Sequence, residues 1–231
     1  MGSALKIGIA GLGTVGAGVV KILHSHSRLI SSRSGRYVEL KAISARSRSK
    51  DRGVSLEGLS WESDIIELAG RSDIDVFVEL IGGDGNPAKE AIETALKSGK
   101  HVITANKALL AKHGQELAEL AEKNNVSLKF EAAVAGGIPA VKALTESLAG
   151  NKINRIMGVI NGTCNYILTR METSNLPYET VFNEAQKLGY LEADPTLDTG
   201  GIDAGHKLAI LSSIAFGTQI DFKAVVTQGI E

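Results

Sequence analysis

The chain has 231 residues, enough to bury a substantial core in one large domain or two small ones. Its 25 basic and 26 acidic residues leave a formal charge of -1, without the basic surplus of a polyanion-binding surface, so nucleic acid is not an expected partner. The single cysteine, Cys164, excludes an intramolecular disulfide and cysteine-cluster metal sites, and no apolar run approaches the roughly 18 residues of a membrane span.

Residues 6–10 read as a buried strand, and the turn Gly11-Leu12-Gly13-Thr14-Val15-Gly16 leads into a helix over residues 15–23. Residues 24–36, rich in Ser and Arg, are expected to form an irregular connection. A second strand is expected at 37–44, followed by a polar, turn-rich stretch at 46–58 and a short helix at 63–69. Further strands are expected at 76–81, 101–104 and 127–131, alternating with helices that start near Pro87 and Ala105. This alternation predicts an α/β protein: a Rossmann-like, mostly parallel sheet covered by helices.

The pattern pauses at Gly136-Gly137-Ile138-Pro139, which sets an expected boundary between a nucleotide-binding domain at 1–136 and a substrate domain at 137–231. The second domain is expected to begin an α+β fold, with a helix through Leu148, a strand at 153–160, and helices at 165–171, 178–188 and 203–216. It is expected to be incomplete, because the last residues show no obvious domain terminus. The amino-terminal residues lead straight into a strand with no signal core, and the expected location is cytoplasmic.

The glycine turn carries the first chemistry. Gly11 permits the tight turn, Gly13 lets the backbone approach a pyrophosphate, and Gly16 lets helix and strand pack closely; Thr14 and Val15 open the helix whose amides favour phosphate. The spacing alone also fits glycines that merely relieve crowding. Its position between a strand and a helix favours dinucleotide binding. At the end of the second strand, where an NAD-selective site commonly has an acid, the sequence reads Ser44-Ala45-Arg46. Arg46 is placed to meet a ribose 2′-phosphate, so NADP(H) is preferred and NAD(H) is retained as an alternative.

Four later blocks make the reading specific: Thr104-Ala105-Asn106-Lys107-Ala108-Leu109-Leu110; residues 131–139; residues 161–168 with Asn161-Gly162-Thr163-Cys164; and residues 189–195 with residues 201–208. With these motifs in this order, the chain resembles the homoserine dehydrogenase family across essentially its whole length. The resemblance implies NAD(P)-dependent reduction of L-aspartate 4-semialdehyde to L-homoserine, a small amino-acid aldehyde and alcohol pair in threonine and methionine biosynthesis. It also implies a homodimer when the rest of the substrate and dimerisation domain is present.

Lys107 follows a strand end on the ligand edge of the sheet, where a surface lysine and a proton donor to a developing alkoxide are both reasonable; the resemblance assigns the catalytic role. Asp203 and Lys207 stand four residues apart on one helix face, the spacing of an ordinary ion pair. The resemblance implies that they face the substrate, with Lys107 or Lys207 as proton donor. It further implies that Glu192 and Asp198 hold the substrate's amino end; Asp194, which precedes Pro195, is instead expected from its position to organise the turn. Gly162 and Thr163 open a helix and offer amides and a hydroxyl toward cofactor or aldehyde. The resemblance also places sodium or potassium at Glu131, Val134, Gly136 and Ile138, where the residues alone read equally as a hinge. Two alternatives stay open: an inactive NADP-binding fragment, and a semialdehyde dehydrogenase using Cys164 as nucleophile.

Overall fold

Strand β1 (Leu5–Ala10) carries alternating side chains of unequal bulk, Ile7 and Ile9 on one side and Gly8 and Ala10 on the other. It pairs in parallel with β2 (Val38–Ser44) and with β4 (Val76–Glu79). The computed structural model describes residues 3–191 and 195–230. It divides into two compact units, Met1–Ala133 and Val134–Glu231.

In the first unit, α1 (Thr14–Ser25) and α2 (Ser27–Ser34) connect β1 to β2. Then come β3 (Ser60–Glu62), α3 (Ile65–Gly70), β4, α4 (Ala88–Lys97), β5 (His101–Thr104), α5 (Lys107–Lys123) and β6 (Leu128–Lys129). The six strands run in the order β3-β2-β1-β4-β5-β6, and every pairing is parallel. Parallel strands buried on both faces need helices above and below. One face packs Phe77 and Val102 against Leu68, Ile92, Leu96, Leu109 and Leu117; the other packs Ile7, Ile9, Val76 and Val78 against Leu12 and Val20. Each such large apolar side chain contributes roughly 1.5–3 kcal/mol by leaving water.

The chain leaves β1 toward β2 on one side and later crosses to β4 on the other, so the strand order reverses beside β1. In open α/β sheets the crevice beyond the strand carboxyl ends at this reversal is where ligands bind. The ends of β1, β2, β4 and β5, at Ala10, Ser44, Glu79 and Thr104, all lie on that edge.

The mostly parallel sheet flanked by helices is as expected, with two local corrections. The stretch expected to be irregular at 24–36 is largely the helix α2, ended by Gly35 at φ 69°. It buries none of its own residues, so it lacks the apolar period by which a helix is read. The strand expected at 153–160 forms no regular element and has no ladder partner among the described residues. It is rich in apolar residues, but Met157 and Val159 are each 75% exposed. A strand requires a neighbouring backbone as well as a pattern.

The second unit contains α6 (Ala140–Lys142) running into a wider turn at Ala143–Ser147, then α7 (Gly162–Ser174), α8 (Tyr178–Lys187), α9 (Thr196–Thr199) and α10 (Ile202–Phe216). Helices α7 and α8 pack through Ile167, Val181 and Ala185, which join Leu191 in one apolar cluster.

Candidate functional site

At the end of β1, Gly11 has φ 93°, a conformation that side chains disfavour, and its amide donates to the Ser44 carbonyl at 2.8 Å. A Cβ on Gly16 would lie 1.9 Å from the Gly11 carbonyl oxygen, so only glycine lets α1 start this close to the turn. Gly13 differs: a Cβ there would meet nothing within 4 Å, and the residue is exposed at the N-cap of α1 without a side-chain cap. The turn is therefore tight where it meets protein and open where it faces outward. Exposed Thr14 and Val15 follow, at a helix end whose first amides have no intrahelical acceptor. This is the geometry a pyrophosphate requires, and the residues present fit a dinucleotide.

Arg46 is exposed just beyond β2, and no acid stands at that strand end. Arg52, which the sequence reading passed over, ties the following loop together. Its guanidinium donates to the Leu12 carbonyl at 3.1 Å, to Lys50 O at 2.6 Å and to Ser47 O, and lies 5.7 Å from the Trp61 ring centroid. The loop bearing Arg46 is thus fastened to the glycine turn. One arginine inside a polar loop gives no sequence signal for this.

At the ends of β4 and β5 a second network was also missed. Glu79 is 0% exposed. Its Oε1 accepts from the amides of Ile81 at 2.7 Å and Gly82 at 3.1 Å, and its Oε2 accepts from the Thr104 hydroxyl at 2.6 Å. The Thr104 Oγ1 in turn accepts from the Asn106 amide at 2.9 Å, while the Asn106 side chain donates to Gly83 O at 2.7 Å and accepts from Leu109 N at 3.1 Å. Asn106 caps α5 immediately before Lys107, so the buried carboxylate fixes the helix start that presents this lysine. An acid at the end of the apolar run Val76-Phe77-Val78 was the available signal.

In the second unit, Asn161 caps α7 through a bond from Cys164 N to its Oδ1 at 2.8 Å. Its Nδ2 donates to Asp198 Oδ1 at 2.7 Å and to Asp203 Oδ2 at 3.1 Å. Lys207 Nζ donates to the same Asp203 Oδ2 at 2.6 Å and to Ile160 O at 2.7 Å. The side chains of Lys207 and Asp203 are 17% and 10% exposed, so the pair is well shielded from screening solvent. Asp198, Asp203 and Lys207 therefore converge, as a cluster of two acids, one ammonium and one amide.

Thr163 donates its hydroxyl to Tyr190 O at 3.0 Å, next to exposed Gly162. The Cys164 thiol donates to Asp198 O at 3.1 Å. Burial, then the charges of Asp198 and Asp203, push its pKa up, the opposite of what a thiolate nucleophile needs. Glu192 and Asp194 lie outside the described residues. Of the residues matched to a monovalent cation, Glu131 opens a tight turn at Glu131–Ala133, Val134 is buried, and Gly136 and Ile138 are exposed. The Ile138 carbonyl accepts from Ala140 N at 2.7 Å. Among the described residues no three His, Cys, Asp or Glu side chains form a group that could hold a metal ion. No described helix is long and apolar enough to cross a membrane.

Two family descriptions match the chain: "Homoserine dehydrogenase, NAD binding domain" over residues 11–131 and "Homoserine dehydrogenase" over residues 139–231. The homoserine dehydrogenase of Neisseria gonorrhoeae is 50% identical over 226 residues, 98% of this chain and 52% of the relative. That of Bacillus subtilis is 42% identical over 98% of this chain and 52% of the relative. The crystal structure of the Thiobacillus denitrificans homoserine dehydrogenase superposes with a TM-score of 0.93 at 44% identity, covering 99% of this chain and 52% of that one. A hyperthermophilic archaeal homoserine dehydrogenase in complex with NADPH superposes with a TM-score of 0.82 at 28% identity, covering 98% of this chain and 79% of that one. The chain spans about half the length of the curated relatives it matches.

Proposed function

The chain belongs to the homoserine dehydrogenase family, and from that premise we propose that it carries the catalytic machinery for the reversible reduction of L-aspartate 4-semialdehyde to L-homoserine. The observation that carries this reading is the shielded ammonium of Lys207, held by Asp203 and the Ile160 carbonyl. An ammonium has three N–H donors, and these two bonds leave one to direct at a reacting oxygen. When bound, the nicotinamide supplies the hydride for reduction and takes it back in oxidation.

In the reducing direction, negative charge builds on the aldehyde oxygen, where a preplaced ammonium both stabilises it and yields the proton that completes the alcohol. On this reading Lys207 and Lys107 share that acid–base work. Asp203 holds the Lys207 side chain in place, while Asp198 and Glu192 hold the substrate ammonium by opposite charge. Gly11, Gly13, Thr14, Val15 and Gly16 cradle the pyrophosphate, and Gly162 and Thr163 offer amides and a hydroxyl to the cofactor or aldehyde. NADP(H) is the preferred nucleotide, supported by the exposed Arg46 and the absence of an acid at the end of β2. Sodium or potassium at the bend of Glu131, Val134, Gly136 and Ile138 is part of the proposal, supported by the backbone carbonyls that such ions accept as ligands.

The test is the appearance of reduced nicotinamide from L-homoserine and NADP, compared among wild type, Lys107→Ala and Lys207→Ala. A lost proton donor lowers turnover roughly a hundredfold or more while nucleotide binding persists. Full activity in both variants would remove the mechanism. Arg46→Ala is expected to weaken NADP more than NAD; an equal effect would assign the preference elsewhere. Replacing sodium and potassium by a bulky organic cation tests the ion, and unchanged stability and turnover would reject it. Retained turnover in Cys164→Ala would dismiss thiol chemistry.

A further inference from the structure

Asp198 and Asp203 come from different elements, the four-residue helix α9 and the first turn of α10. Two carboxylates sharing one site repel each other, and their natural remedy is a cation between them. Here Lys207 contacts Asp203, and the neutral amide of Asn161 touches both acids.

We propose that Asn161 is the positioning residue of the substrate half-site, its amide holding Asp198 and Asp203 side by side so that Asp198 is kept for the substrate's ammonium while Asp203 keeps Lys207. This rests on the proposed reaction and adds the group that organises its amino-end recognition. The amide is well matched to the task. It has two N–H donors, one for each acid, and its oxygen accepts from Cys164 N, so the same side chain that anchors the start of α7 also spans to α9 and α10. A lysine or arginine in its place would also join the acids, but it would neutralise them and compete with the incoming ammonium. A neutral donor gathers the charge without cancelling it. Because Asp203 also receives Lys207, a shift of Asp203 would carry the ammonium away from Ile160 O and from the reacting oxygen.

The role separates from simple helix capping by the choice of substitution. Asn161→Ser and Asn161→Asp each keep an oxygen at a position where serine and aspartate are good caps. Both lose the pair of amide N–H donors that spans the two acids. If Asn161 positions the acids, Asn161→Ser keeps a near-native thermal midpoint and NADP affinity, while KM for L-homoserine rises by roughly tenfold to a hundredfold, the scale of one lost charge-assisted hydrogen bond.

The second readout needs no turnover. Cys164 is the sole cysteine, and its thiol faces the charges of Asp198 and Asp203, so the pH dependence of its alkylation by iodoacetamide reports their placement. Lys207, paired with Asp203, is the cation of the same cluster. The alkylation profile is expected to move to lower pH in Asn161→Ser, where the acids are released, and to higher pH in Asn161→Asp, where a third carboxylate is added. An alkylation profile unchanged in both variants overturns the proposal. So does an unchanged KM for L-homoserine with only the thermal midpoint lowered, which would make Asn161 a cap and no more. If the wild-type chain makes no reduced nicotinamide, the reaction assignment fails, while the thiol profiles still decide whether Asn161 holds the acids.

Discussion

The glycine turn offers a paired substitution in which structure and ligand give opposite signals. Gly16→Ala places a Cβ 1.9 Å from the Gly11 carbonyl oxygen and 2.9 Å from its carbon, separations that require the backbone to move. Alanine gains about 1 kcal/mol of helix propensity over glycine. Overpacking against backbone, which has no rotamer to escape into, costs typically 1–3 kcal/mol and occasionally more. The balance is a net loss of up to about 2 kcal/mol, and at about 2–4 °C per kcal/mol for a chain of this size the midpoint falls by several degrees. Gly13→Ala meets nothing within 4 Å and sits at φ -74°, which alanine accepts, so its stability changes by only about 1 kcal/mol or less through the weaker N-cap. Yet its methyl group would occupy the space where the pyrophosphate approaches. Differential scanning fluorimetry with and without NADP reads both effects. Gly13→Ala should melt near wild type and lose the nucleotide-induced rise, whereas Gly16→Ala should melt lower in both conditions. A Gly13→Ala protein that retains the full nucleotide shift would refute the placement of phosphate on this turn.

Glu79→Gln is expected to lower stability by roughly 1–3 kcal/mol, because an amide cannot accept from the Ile81 and Gly82 amides and also from the Thr104 hydroxyl; an unchanged midpoint would show that the network is dispensable. Lys100 is 5% exposed, and burial lowers its pKa. The unfolded chain therefore binds more protons between the lowered and the ordinary value, and stability rises with pH across that window. Lys100→Met should raise the midpoint near neutral pH, with the advantage shrinking as pH rises toward the ordinary lysine range; a loss independent of pH would contradict this. Asp73 is held below the usual carboxylate range first by its hydrogen bond from Arg71. That stabilisation is complete above the ordinary aspartate pKa and disappears as pH falls through the lowered one. The stability difference between wild type and Arg71→Leu should accordingly narrow in acid, and a difference constant with pH would reject the linkage.

Much of the sheet was legible because β1 and β4 carry buried apolar residues, and Gly11, Gly13 and Gly16 stand between a strand and a helix. Helix α2 was not legible, since a surface helix of Ser and Arg with no buried residue leaves no periodic trace. Residues 153–160 show the opposite failure, an apolar-rich stretch without the neighbouring backbone that would make it a strand. In the candidate site, the spacing of Asp203 and Lys207 announced an ion pair but not its partners. Asp198 joins them through the Asn161 side chain, a contact spanning 37 residues of chain that no local pattern encodes. Asn161 did carry one signal, a good N-cap residue before a helix start, and that signal accounts for only the bond from Cys164 N and not for those its side chain makes to Asp198 and Asp203. Glu79 was hidden in the same way, as a charge at the end of an apolar strand whose value lies in the loop and helix start it satisfies.

At the centre stands the proposal that Lys207, held by Asp203, shares with Lys107 the proton chemistry of a nicotinamide-dependent oxidation of L-homoserine. It is tested most directly by following reduced nicotinamide formation from L-homoserine and NADP with wild type and Lys207→Ala, after fluorescence titration shows that both bind the nucleotide. The account predicts turnover in the wild type and a loss of roughly a hundredfold or more in the variant at unchanged nucleotide affinity. Nucleotide binding without turnover in the wild type, or equal turnover in both, would contradict it.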